Sequence, residues 1–211
     1  MSLIAVNLGL PKSGTTTLAK ALRLAGLKVA DHRLRGRQTE DPALKGAYVA
    51  QLLYRGYFET GDPAALMPGI TAISEMSMLH GAHSIWPQTD LALIAALRRH
   101  HPQVRFLASS RDPFAMSQSM LAWSNLGEAR LPASAIPGLP PGFGETSRQR
   151  MQWIEGHYAT LRHVFRGDDA FLEFDIADPG APARIAAFLG RPLPWWGRMN
   201  ANPAFRPAVA R

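Results

Sequence analysis

The chain has 211 residues, 46% hydrophobic and 18% charged, with a formal net charge of +7. That composition excludes a wholly disordered chain, and its length suits one α/β domain spanning residues 1–211. With no cysteine, disulfides, thiolate metal sites and a Cys nucleophile are excluded, while the positive charge favours anionic ligands.

Leu3 to Leu8 is a short continuous apolar run ending at Gly9-Leu10-Pro11, the pattern of a buried parallel strand. It leads directly into Pro11-Lys12-Ser13-Gly14-Thr15-Thr16-Thr17-Leu18, a turn and a helix start in one segment. Leu18, Leu22 and Ala25 have helical spacing, so a helix is predicted over Thr15 to Ala25, stopped by Gly26. Backbone N–H groups converge in such a turn, and the helix adds the positive end of its dipole. Lys12 contributes a full charge and the Thr hydroxyls contribute directional donors. Gly9 and Gly14 have the spacing of a nucleotide-triphosphatase P-loop, but the lysine slot holds Thr15 and the lysine stands at Lys12.

Further strands are predicted at Lys28 to Ala30, Ile70 to Ser74, Val104 to Ser109 and Ala170 to Phe174. Between them, helices are predicted at Leu44 to Tyr54, Asp90 to Arg99, Phe114 to Trp123, Thr146 to Phe165 and Ala181 to Leu189. This alternation predicts a central, mainly parallel sheet flanked by helices, with ligands outside the carboxyl ends of its strands. Lys12 and Arg111 both follow predicted strands, so both should face one crevice. Arg33 to Arg37 and Arg98 to His101 are the tight basic clusters, read as solvated faces, and no DNA- or RNA-binding motif accompanies them. Leu126 to Glu145 is rich in Pro and Gly and reads as a long loop, either a lid or a mobile excursion. Met151, Ile154, Tyr158, Leu161 and Phe165 form a core stripe, and Trp195-Trp196 with Asn200 to Pro203 are candidates to close one side of the crevice.

PKSGTTTL behind the first strand resembles the 5′-phosphosulfate loop of the sulfotransferases that use 3′-phosphoadenosine 5′-phosphosulfate (PAPS). Arg111 and Ser119 match that family's R-x7-S pattern, and Phe171 to Asp175 with Phe188-Leu189-Gly190 is similar to its last core strand and trailing helix. The resemblance implies a P-loop-type three-layer sandwich and PAPS as donor, leaving 3′-phosphoadenosine 5′-phosphate (PAP). It also implies donor contacts from Lys12, Ser13, Gly14, Thr15, Thr16, Thr17, Arg111 and Ser119, with Arg111 and Ser119 on the 3′-phosphate. A guanidinium fork and a hydroxyl are chemically suited to that anion.

Sulfuryl transfer builds negative charge on the leaving oxygen, which Lys12 is suited to stabilise, and no metal is required. The acceptor must lose a proton, and Glu75 stands where the family carries its catalytic His or Glu. His80, His83 and, further off, His32 are substitutes for that base. The acceptor class stays open: carbohydrate, lipid, phenol or small metabolite. Alternatives are a nucleotide kinase or NTPase, disfavoured by the displaced Lys12 and the lack of an evident strand ending in Asp, and a non-catalytic nucleotide-binding protein. A nucleic-acid partner has only charge in its favour. The sequence shows no secretory pattern and no apolar run long enough to span a membrane, so a cytoplasmic enzyme without a membrane anchor is expected.

Overall fold

A computed structural model describes residues 2–199. Strand β1 (Ala5–Asn7) leads through the turn at residues 8–14 into helix α1 (Thr15–Leu24), followed by β2 (Val29–Asp31) and α2 (Val49–Thr60). After β3 (Ala72–Glu75) comes a hairpin of β4 (Met78–His80) and β5 (His83–Ile85), then α3 (Leu91–His100) and β6 (Arg105–Ser110). The chain continues through α4 (Pro113–Leu121), the short α5 (Leu131–Ala133), α6 (Ser147–Val164), β7 (Phe171–Asp175) and α7 (Ala181–Leu189).

Five strands form one parallel sheet in the order β2-β3-β1-β6-β7. Side chains alternate across it. Ala5, Val29, Ala72, Leu107 and Phe174 face one side, where they pack with Leu18, Ala19 and Leu22 of α1 and with Ala181 and Ile185 of α7. Val6, Ala30, Ile73, Phe106 and Ala108 face the other, against Leu52 and Leu53 of α2, Leu93 and Leu97 of α3, and Ile154, Tyr158 and Leu161 of α6. Because both faces are covered, these strands read in sequence as apolar runs with little polar alternation.

Two expectations are corrected, and one element is added. The predicted helix at 44–54 begins five residues late, because Pro42–Leu44 closes a 3-10 turn capped by Asp41 and the helix runs on to a left-handed Gly61. The hairpin adds two strands that apolar patterning does not reveal; its two-residue loop begins at Gly81 (φ +59°), as a tight hairpin turn demands. The segment 126–145 is not an excursion without structure. It forms a π-type turn at Leu126–Arg130, then α5, and buries Leu126, Leu131, Ile136 and Leu139 in the main core. These four apolar side chains override the local breaker composition.

The same segment is fastened by the fully buried Arg150 of α6. Its guanidinium donates to the Gly144 and Glu145 carbonyls, to Ser147 Oγ and to Ser117 Oγ of α4, at 2.7–3.1 Å. No carboxylate pairs with it among the described residues, and burial alone holds its pKa below the ordinary arginine value. Four protein oxygens take the place of a counter-ion, tying α4, α6 and the intervening loop into one unit.

Candidate functional site

In this strand order the chain switches direction between β1 and β6, which opens a crevice at their carboxyl ends. Residues that follow successive strands therefore stand side by side: Arg111 beyond β6, Lys12 beyond β1, Glu75 ending β3, Asp31 and His32 at β2. One cavity of about 500 Å³ lies above them and is lined by Lys12, Gly14, Thr15, Thr16, Thr17, Glu75, Arg111 and Ser119 together. Eight of the nine predicted site residues thus share one wall.

The exception is Ser13. Its side chain is fully buried, its Oγ bonded to Ser109 Oγ at 2.7 Å, and its N–H donates to the Leu10 carbonyl. Ser13 shapes the turn without presenting a group to the cavity. The turn is held from below by Asn7, the last residue of β1, which is buried and fully engaged. Its Nδ2 donates to Ser74 O and Ser109 Oγ, and its Oδ1 accepts from the N–H groups of Gly9 and Ser109. One amide thereby joins β1, β3 and β6 at the crevice floor. From α6, Tyr158 Oη donates to Ser109 O at 2.6 Å and accepts from Leu10 N–H, and His157 Nε2 donates to Leu8 O at 2.8 Å. Burial lowers the His157 pKa to about 4, so the ring serves as a neutral strut.

Two residues of the turn lie in the left-handed region, Lys12 at φ +74° and Gly14 at φ +103°. For lysine this conformation costs roughly 1–2 kcal/mol, so its maintenance by the surrounding bonds is a feature of the site. Gly9 is required for a different reason: a Cβ there would stand 2.4 Å from the Ser109 carbonyl oxygen. Helices α3, α4 and α6 are capped by their own Asp90, Asp112 and Thr146, but α1 starts from Gly14 with no side-chain cap and no acid in its first turn. Its first N–H groups are the kind of donors an anion satisfies.

Lys12 and Arg111 are each half-buried and, among the described residues, neither makes an ion pair. Burial and the neighbouring Arg111 lower the Lys12 pKa, while Glu75 partly restores it. Lys12 Nζ rests 3.8 Å from the centre of the Trp123 ring, a cation–π contact, with Glu75 near enough to act on its charge but not paired with it. The loop hydroxyls have separate fates. Thr15 donates toward Glu75, Thr17 Oγ1 accepts from Met199 N–H, and Thr16 has no partner among the described residues.

Glu75 is buried, with Oε1 accepting from Ser77 N–H at 2.9 Å and Ser77 Oγ at 2.6 Å. Burial outweighs these donors and raises its pKa to about 7, with Asp31 pushing the same way. Of the substitute bases, His80 and His32 line the cavity, whereas His83 is exposed on β5 and lies outside its wall. Burial holds the His32 pKa below its ordinary value, and its Nδ1 lies 3.1 Å from the Ser77 carbonyl oxygen.

Sequence reasoning misses several lining residues. Tyr48, Trp86 and Leu79 reach the wall through a helix start and a hairpin that local patterning does not locate. Arg35, from a cluster read as a solvated face, stands at the rim, and Arg130 enters from the segment read as a loop. Trp195 and Trp196 do not line the cavity: Trp195 sits beneath Lys20 of α1 and Trp196 packs edge-on to Phe174. The expected contribution of Asn200 to Pro203 lies outside the described residues. No group of three or more metal-ligating side chains is assembled among the described residues, and no helix among them is long and apolar enough to cross a membrane.

No protein-family model matches the chain, and no curated protein matches it significantly.

Proposed function

We propose that the chain is a sulfotransferase with a P-loop-type fold that takes a sulfuryl group from PAPS to a hydroxyl or amine. The observation that carries this reading is the meeting, in one cavity, of an uncapped helix start, Lys12, Arg111 with Ser119, and the near-neutral carboxyl of Glu75. PAPS, when bound, supplies an SO3 group activated by a phosphate leaving oxygen. The residues present fit such a molecule: two cations without an ion-pair partner among the described residues, and a row of helix N–H groups, stand ready for a multiply charged anion.

In this reading the α1 amides and Thr16 hold the 5′-phosphate, and Arg111 with Ser119 holds the 3′-phosphate. Lys12, already displaced from its ordinary pKa by burial and Arg111, stabilises the charge that grows on the leaving oxygen. Glu75, next along the sheet, takes the acceptor proton. A carboxylate with a pKa near 7 is both ionised in useful amount and basic enough for the task at neutral pH.

One observation favours a second reading. β3, the strand beside β1, ends in the carboxylate Glu75, where a magnesium-organising acid of a nucleotide kinase or NTPase would be sought. Against it, the P-loop lysine slot is Thr15, and Glu75 is a poor metal ligand while its Oε1 is occupied by Ser77 and its pKa is raised. Competition binding separates the two. The sulfotransferase reading expects tight PAP binding in EDTA and no competition from ATP, followed by transfer of labelled sulfate to an acceptor. Tight magnesium-ATP binding with PAP excluded would establish the alternative.

A further inference from the structure

We infer that the half of the cavity remote from Arg111 is an anion subsite, so that the acceptor carries a carboxylate, sulfate or phosphate group in addition to its reacting hydroxyl or amine. This rests on the donor reading above and adds the chemical class of the acceptor. The strand order supplies the axis. With Arg111 beyond β6 and Lys12 beyond β1 assigned to the donor, the space over β3 and β2, past Glu75, is left for the acceptor. Its walls are Tyr48 and Trp86, with Leu79 and His80 from the hairpin.

Two further arginines border that half. Arg35 stands at the exposed rim after β2, and among the described residues it has no ion-pair partner. Arg130 crosses from the segment after α4 and donates through Nη1 to the Leu79 carbonyl at 3.1 Å. Its Nε is buried without any hydrogen-bond partner, and it too lacks a carboxylate among the described residues. A buried guanidinium N–H left unpaired is costly, and the Arg130 side chain, which lines the cavity without a carboxylate to neutralise it, leaves its charge available to an anion seated against it.

The acids that line the cavity do not cancel these charges. Asp31 is already paired with Arg23 of α1 at 3.2 Å, and burial moves Glu75 toward its neutral form. Desolvation lowers the pKa of His32, and the nearby Arg33 is engaged by stacking on Tyr48, its centre 3.8 Å from the ring, and by donating to the Tyr48 hydroxyl and the Gly46 carbonyl. The acceptor half is therefore a positively charged slot with aromatic sides and a carboxyl at its inner end. A flat or ring-shaped hydroxylated anion matches that arrangement better than a neutral lipid or sugar.

The test uses the full chain saturated with PAP, so that the donor site is filled, and adds sodium phosphate, sodium sulfate or sodium benzoate at ionic strength matched with chloride. Calorimetry or thermal shift should detect one further anion site, and the best of the three probes identifies the preferred headgroup. Arg130→Gln and Arg35→Gln should each raise the dissociation constant of that probe at least tenfold while PAP affinity changes less than twofold. Acceptor pairs that differ only by methyl esterification, such as 4-hydroxyphenylacetate and its methyl ester, should show the charged member favoured at least tenfold in kcat/KM, chiefly through KM. A PAP-saturated protein with no anion response, or a response indifferent to both arginines, overturns the inference and leaves the donor reading standing. Failure of PAP itself to bind overturns the donor reading and this inference with it.

Discussion

Lys12 shows how a single residue is shaped by several small forces that agree. It is held in the left-handed region, half-buried, beside another cation and above the Trp123 ring, so it lacks the full solvation and the ion-pair partner of a surface lysine. Such a group gains most when negative charge develops beside it, so its contribution belongs to the transition state more than to donor binding. Lys12→Ala should lower kcat on the order of 10²–10³-fold, with PAP affinity changing much less; an unchanged turnover number in a labelled-donor assay would remove it from the chemistry. Glu75 makes a prediction in pH. With a pKa near 7 its base form accumulates as pH rises, so kcat should climb through neutrality, and Glu75→Gln should lose that limb while PAP binding persists. The same raised pKa acts on stability with a definite sign. It favours the protonated carboxyl in the folded state, so this contribution is intact below the unfolded value near 4.5 and is lost as pH rises through about 7. A tenfold change in a protonation equilibrium is worth about 1.4 kcal/mol, which makes the whole effect on the order of a few kcal/mol. Urea unfolding should show the wild type losing stability between about pH 5 and 8 relative to Glu75→Gln.

Among the elements, the turn between β1 and α1 is built by contacts that come from elsewhere in the chain. Asn7 joins three strands beneath it, Tyr158 and His157 brace it from α6, and Gly9 allows β6 to approach. Gly9→Ala would set a Cβ against the Ser109 carbonyl, a backbone group that cannot swing aside. Overpacking of this kind costs about 1–3 kcal/mol, so the midpoint of chemical denaturation should fall, and PAP affinity should fall with it because the loop is displaced. A normal midpoint with normal affinity would show that the close approach is dispensable. The turn is legible in sequence because its polar residues are contiguous. The five strands are legible because each is a short, mainly apolar run, even β7 with its Glu173 and Asp175, and their ends differ from the sequence reading by only one or two residues. The hairpin and the 126–133 segment are not, since their order comes from distant partners: Arg130 reaching Leu79, Ser84 Oγ donating to the Ala135 carbonyl, and apolar anchors spaced irregularly through Pro and Gly. Ser13 is misplaced for a similar reason, because nothing local reveals that its hydroxyl is spent on Ser109.

For the molecule as a whole, strand order turns residues far apart in sequence into a linear array across the sheet: Arg111, Lys12, Glu75, then the edge near β2. The net charge of +7 looks diffuse along the chain, yet it is concentrated locally by four arginine and lysine side chains on one cavity that have no carboxylate partner among the described residues. The central claim is that the loop at Lys12 and the pair Arg111 and Ser119 grip two ends of one nucleotide. It is tested most directly by calorimetric titration of the wild type and Arg111→Ala with PAP and with adenosine 5′-phosphate, in EDTA. Charge-assisted hydrogen bonds are each worth about 1.5–3 kcal/mol, so the wild type should prefer PAP by on the order of 10- to 100-fold, and Arg111→Ala should bring the two ligands to near equality by losing PAP affinity alone. Equal affinities in the wild type, or a preference for PAP that survives the loss of Arg111, would contradict the account.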